Sequence, residues 1–144
     1  MQLNHYINFQ GQTEAAFNFY KSVFGGEFSF IKRYSELADT NIPDLEKNYI
    51  LHISLPINDS TVLMASDVID HFCTQMQTPF IQGNNHYISI NLEANDVNKA
   101  QSLFDALSVN GKIEAPLEKT FWGAIFGSFT DQFGIQWMIN CQLE

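Results

Sequence analysis

Positive charge is scarce in this chain: Lys and Arg number 7 against 16 Asp and Glu, a formal net charge of −9 over 144 residues. An excess of that sign repels phosphate backbones, so nucleic acid is not an expected partner. A single Arg33 or a strand-end Lys could still act locally on a small anion. Cysteine is equally sparse. Cys73 and Cys141 lie far apart, form no CxxC or other metal-type spacing, and read as ordinary reduced thiols. Long apolar runs are also missing, because the uncharged stretches are broken by Asn, Gln, Gly and Pro. "MQLNHYINF" has neither a basic n-region nor a continuous apolar segment. No membrane span or signal peptide is expected, and the cytoplasm is the expected compartment. There is no GxSxG, HExxH or P-loop, and no glycine-rich strand-to-helix loop for S-adenosylmethionine, so methyl transfer is not expected.

What is present is apolar and aromatic. Hydrophobic residues make up 45% of the chain and aromatic residues 14%, enough for one globular domain spanning 1–144. "LNHYINF" (3–9) alternates as a strand does, with Leu3, His5, Ile7 and Phe9 on one side and Asn4, Tyr6 and Asn8 on the other. The period then changes. "TEAAFNFYKSVFGG" spaces Ala16, Phe19, Tyr20 and Val23 as one helix face, opens on a Thr suited to capping, and closes on Gly25-Gly26. "EFSFIKRY" (27–34) reads as a strand, the acidic "SELADTNIPDLEKN" (35–48) as a loop, and 49–57 with 61–67 as a hairpin turning at Asn58-Asp59-Ser60.

After a connection at 68–85 the order of elements starts again. "HYISINLE" predicts a strand, "NDVNKAQSLFDALS" a capped helix, and "GKIEAPL", "FWGAIFGSF" and "GIQWMIN" three more strands. The chain reads as βαβββ written twice, module 1 at about 1–67 and module 2 at about 86–144. An offset of 84 sets Ala16, Phe19, Tyr20 and Val23 on Ala100, Leu103, Phe104 and Leu107. Toward the module ends the offset falls to 74, setting Leu63 on Trp137 and Met64 on Met138. The fold class is α+β: two curved sheets, each with a helix on one face, around a shared cavity between the modules.

Three segments carry a resemblance: "INFQGQTEAAFNFYKSVFGGE" (7–27), the His52 strand with "LMASD" (63–67), and "PLEKTFWGAIFGSFTDQFGIQWMIN" (116–140). Over nearly its whole length the chain resembles the vicinal oxygen chelate superfamily of glyoxalase I, extradiol dioxygenases and bleomycin- and fosfomycin-resistance proteins, and in particular its PhnB-like branch. The resemblance implies a homodimer and a small-molecule ligand. Metal-using members hold a divalent ion with side chains from the first and last strand of each module, positions that carry over to His5, Met64, Ser89 and Met138. Only His5 is a good donor there, since a thioether binds hard or borderline ions weakly. The expectation is therefore a site without a metal or other cofactor. The alternatives are a metal-dependent lyase or dioxygenase using His5, with Asp67, His52 or loop residues, and a drug-sequestering protein of the bleomycin-resistance type, whose acidic groove the net charge would suit.

Strand alternation places the candidate ligand contacts. Tyr87, Ser89 and Asn91 oppose Ile88, Ile90 and Leu92, and Gln136, Met138 and Asn140 oppose Ile135, Trp137 and Ile139. The mixed polar sides, with Met64, should line the site. His5 is the candidate general base, since imidazole titrates near neutral pH, or else a backbone-bonded structural residue. His52 is either a pocket residue or a hairpin hydrogen bond. Read as strand residues, Trp122 and Phe126 share one face and are either pocket wall or core. His86 faces the wrong side for a ligand, and His71 with Cys73 would need distant help to hold a metal. Asp67 and Glu27 are the strand-tied carboxylates, neither paired with a base by any local pattern.

Overall fold

The computed structural model describes residues 1–38, 41–70 and 79–143. They fall into two compact units, Met1–Ile81 and Gln82–Glu144, so the boundary lies inside the expected connection. His71 and Cys73 lie outside the described residues.

In the first unit, β1 (His5–Phe9), α1 (Thr13–Phe24), β2 (Phe30–Arg33), β3 (Ile50–Asn58) and β4 (Thr61–Asp67) build a sheet of order β1-β4-β3-β2. β1 runs parallel to β4, and the remaining pairs are antiparallel. The second unit repeats this plan with β5 (Ile88–Leu92), α2 (Val97–Leu107), β6 (Lys112–Lys119), β7 (Ala124–Thr130) and β8 (Gln136–Gln142), in the order β5-β8-β7-β6. The doubled βαβββ pattern and the α+β class are what the structure contains.

Each helix covers one face of its own sheet. α1 lies on β3 and β4, and α2 on β8. The first core gathers Ala16, Phe17 and Tyr20 of α1 with Ile53, Leu55, Leu63 and Ala65, all buried. The second gathers Ala100, Leu103, Phe104 and Leu107 with Phe129, Trp137 and Ile139, where Phe104 meets Phe129 edge-on at 5.1 Å. The 84-residue register holds at Ala16 and Tyr20. It misses Phe17, which is fully buried although its counterpart Gln101 is exposed, whereas Phe19 and Val23 are only half-buried.

The expected cap on α1 is corrected. Thr13 does not close the helix end with its own hydroxyl acting as acceptor. Instead Asp67, at the far end of β4 and 1% exposed, accepts at Oδ1 from the Gly11 and Thr13 amides (2.8 and 3.1 Å) and from Thr13 Oγ1 (2.7 Å). Its Oδ2 accepts from the Ile50 amide at 2.8 Å. A carboxylate at a helix N-terminus satisfies orphan N–H groups and suits the dipole. The second helix has no such cap: Asp96 precedes it without a side-chain capping bond, and Cys141 stands where the first sheet has Asp67, its thiol 3.2 Å from the Glu93 carbonyl.

Two more expectations change. The 27–34 strand is only Phe30–Arg33, followed by a 3-10 turn at Tyr34–Glu36. Part of the acidic loop is packed: Tyr34, Ile42 and Ile69 form a small buried cluster, because Tyr34 Oη donates to the Asp67 carbonyl at 2.7 Å and fixes the turn against β4.

Arg33 ties this region to α1 through a bidentate pair with Glu14, at 2.7 and 2.8 Å, and the guanidinium holds Glu14 below its ordinary value. A carboxylate with a depressed folded pKa contributes stability above the unfolded value of about 4.3 and loses it as pH falls toward the folded value. Both partners are substantially exposed, so Glu14→Gln should cost no more than about 1 kcal/mol at pH 7. Urea denaturation of both proteins at pH 7 and pH 3 should show that difference shrinking in acid.

Candidate functional site

Pairing register defines the face of each sheet turned away from its helix, since directly paired residues share a face. In the first sheet Tyr6, Met64, Ser54 and Phe30 stand side by side across the four strands. Two residues along, Asn8 pairs with Ser66 and Lys32 with His52. In the second sheet Ser89, Met138, Ser128 and Ala115 make the corresponding row, followed by Asn91, Asn140, Phe126 and Glu118. Met64 thus matches Met138, Ser54 matches Ser128, and His52 matches Phe126.

His5 is a correction. It pairs with Leu63, which is 4% exposed, and shares its strand face with Phe9, which is 3% exposed, so it stands on the helix side of the sheet. Tyr6 occupies the position beside Met64. The cause is one residue: β1 ends at Phe9 and α1 begins at Thr13, whereas β5 ends at Leu92 and α2 begins at Val97. An alignment carried from helix to strand is therefore out by one, and a one-residue slip reverses the face of every side chain. The row that the carried-over positions should define is Tyr6, Met64, Ser89 and Met138.

On this face of the first sheet, two hydroxyls and two aromatic rings surround His52. Tyr6 Oη lies 2.9 Å from its Nδ1, and Ser54 Oγ lies 2.9 Å from its Nε2. The Tyr6 ring stacks on the imidazole at 5.5 Å, and Phe30 meets it tilted, also at 5.5 Å. Ser54 could have been read from the sequence as the i+2 neighbour of His52. Tyr6 and Phe30 could not, because they reach His52 through the sheet order.

In the second unit Tyr87, just before β5, donates to Glu114 Oε2 at 2.6 Å, and Thr130 Oγ1 donates to Glu114 Oε1 at 2.9 Å. Those hydrogen bonds hold the Glu114 carboxyl below the usual range, and Glu114 in turn raises the Tyr87 phenol. Gln136, with its amide oriented to donate to the carbonyls of Asn84 and His86 (2.8 and 3.1 Å), sets its oxygen 2.9 Å from the Tyr87 hydroxyl. Asn91 Nδ2 reaches Ser89 Oγ at 3.4 Å. Tyr87, Ser89, Asn91, Phe126, Gln136 and Met138 are therefore on the expected face, and sequence reasoning missed Glu114, Thr130 and Ser128.

Trp122 is the second correction. The expected strand from 121 begins only at Ala124, and Phe121-Trp122-Gly123 form the turn before it, where Gly123 has φ +83°. Phe121 is 97% and Trp122 52% exposed, packed edge-on at 4.9 Å, with Trp122 also 6.3 Å from Phe126. Trp122 is neither core nor a strand-face residue. Asp67, the carboxylate considered for acid chemistry, is occupied by its helix-capping bonds. Glu27 pairs with Lys21 at 2.6 Å.

Among the described residues, no three His, Cys, Asp or Glu side chains gather as a metal would need. No helix there is long and apolar enough to cross a membrane. The doubled sheets with paired first and last strands narrow the ancestry, and residues 2–139 match the Glyoxalase/Bleomycin resistance protein/Dioxygenase superfamily. The chain belongs to this glyoxalase superfamily. It is 30% identical over 142 residues to Protein YjdN of Escherichia coli K12, covering 97% of this chain and 95% of that protein. Protein PA1353 of Pseudomonas aeruginosa is 33% identical in crystal structure, covering 99% of this chain and 98% of its own, with a TM-score of 0.83. The PhnB protein of Bacillus cereus shares the fold at 24% identity, with 98% and 99% coverage and a TM-score of 0.70. Within the glyoxalase superfamily this chain has Tyr6, Met64, Ser89 and Met138 in the rows just described. That donor set, with two thioethers and a phenol, does not fit a divalent metal.

Proposed function

We propose that this glyoxalase-superfamily protein binds a small organic molecule on the helix-free faces of its sheets, without a divalent metal, as a binder or an enzyme. The observation that carries this reading is the composition of those faces. Hydroxyls, amides, an imidazole, thioethers and aromatic rings alternate there, a mixture suited to apolar contact with a few orienting hydrogen bonds. At the strand positions where metal-using relatives need nitrogen and oxygen donors, this chain has Met twice. A homodimer in the cytoplasm belongs to the same proposal.

Elemental analysis of the purified full chain tests it. Ni, Zn, Fe and Mn should each be far below one per chain, and His5→Ala should leave metal content unchanged. Stoichiometric metal lost in His5→Ala would establish the metal-dependent lyase or dioxygenase reading instead. Native mass spectrometry of the same preparation should reveal a small organic adduct that is released on denaturation. A protein that emerges metal-free, without an adduct, and that binds nothing across a small-molecule library would refute the ligand-binding reading.

A further inference from the structure

On the far face of the first sheet, both ring nitrogens of one imidazole are engaged by hydroxyl groups. Tyr6 Oη lies at 2.9 Å from His52 Nδ1, and Ser54 Oγ at 2.9 Å from Nε2. The two hydroxyls differ in reach. Ser54 is 7% exposed and sits within the sheet face, whereas Tyr6 is 47% exposed. Phe30, 48% exposed, presents a second half-open ring beside the same imidazole. The second sheet does not repeat this group: Ser89, Phe126 and Ala115 stand at the positions of Tyr6, His52 and Phe30, and only Ser128 repeats Ser54. A histidine serving only to join strands would not require two half-exposed aromatic rings around it.

Charge completes the picture. The two rows of this face contain Tyr6, Met64, Ser54 and Phe30, then Asn8, Ser66, His52 and Lys32. Neither row holds a carboxylate, and Lys32, directly paired with His52, brings a cationic side chain. A protonated His52 would therefore find no countercharge from the protein on these rows, and an anion on the face would supply it.

The geometry points to Tyr6, His52 and Ser54 as a metal-independent proton-transfer centre for a planar molecule carrying an acidic hydroxyl, a phenol or an enol, its ring resting on Phe30. This rests on the ligand-binding reading above. Ser54 Oγ accepts from Nε2–H and so fixes the tautomer that leaves Nδ1 free to accept. Tyr6 donates its phenolic proton to Nδ1 while its oxygen takes the proton of the ligand hydroxyl. The ligand O–H bond breaks, an N–H bond forms on His52, and Tyr6 ends neutral. The product is a ligand anion beside an imidazolium and Lys32. Tyr6 touches the ligand, whereas His52 and Ser54 act through it.

The test uses 4-nitrophenol and the full chain at a pH where the free probe is mostly protonated, with absorbance reporting phenol against phenolate. The wild type should bind the probe as phenolate. Tyr6→Phe and His52→Gln, checked for native circular dichroism, should bind the neutral phenol and lose the phenolate band. Phe30→Ala should keep the band while binding about three- to tenfold more weakly, the scale of one aromatic contact. Failure of the wild type to bind the probe would overturn this ligand class. Binding as the neutral phenol, or as phenolate equally in Tyr6→Phe and His52→Gln, would overturn the proton transfer. In each case the metal and adduct measurements above still decide the broader reading separately.

Discussion

Replacing Asp67 by Ala is expected to lower the unfolding free energy by about 4–6 kcal/mol, enough to leave the first unit largely unfolded at 37 °C. The carboxylate accepts four hydrogen bonds, and three of them, from the Thr13 amide, the Thr13 hydroxyl and the Ile50 amide, are buried. Each stranded buried donor costs about 1–3 kcal/mol, and neighbouring losses are not additive. Asp67 also joins three elements: the end of β4, the start of α1 and the start of β3. Asp67→Asn separates charge from geometry. Its amide oxygen can still serve Thr13, but its NH2 group then faces the Ile50 amide, donor against donor, so a loss of roughly 2–3 kcal/mol is expected. Urea denaturation followed by fluorescence checks both. A loss below 1 kcal/mol for Asp67→Ala would show that water replaces these bonds and that the cap is dispensable.

In the second unit the largest loss is expected at Trp137. The side chain is 2% exposed, and its Nε1 donates to Asp131 Oδ2 at 2.9 Å. Truncating the ring in Trp137→Ala is expected to cost about 3–5 kcal/mol through lost transfer energy and the cavity left behind. It also leaves one oxygen of buried Asp131 without that partner, while Asp131 Oδ1 continues to hold the turn through the Phe133 and Ile135 amides at 2.8 and 3.0 Å. Trp137→Phe keeps most of the volume and removes the indole hydrogen bond to Asp131, so a loss of about 1–3 kcal/mol is expected. Equilibrium unfolding of the two variants therefore divides packing from hydrogen bonding. Equal losses would mean that the Asp131 contact dominates and the ring's volume does not matter.

Asp131 and Trp137 also show how much of the final segment was legible. Strand alternation correctly sets Trp137 and Ile139 toward α2 and Met138 away from it. The Asp131–Trp137 bond was not legible, because it depends on the turn folding the carboxylate over the strand that follows. Trp122 was misplaced for a related reason. Its β-type neighbours suggested a strand, but Gly123, with positive φ, ends the turn there and leaves Trp122 outside the sheet.

The sequence by itself determined the doubled βαβββ order, the α+β class, which side of most strands is apolar, and the poverty of metal donors. These depend on period and residue type, which local pattern carries. Strand order and register were decided only by the tertiary structure. They moved His5 to the helix side, put Tyr6 beside Met64, and brought Tyr6, His52, Ser54 and Phe30 together from three strands. The physical reason is the period of two in a strand: a single residue between strand and helix, invisible in composition, reverses the face on which every side chain stands.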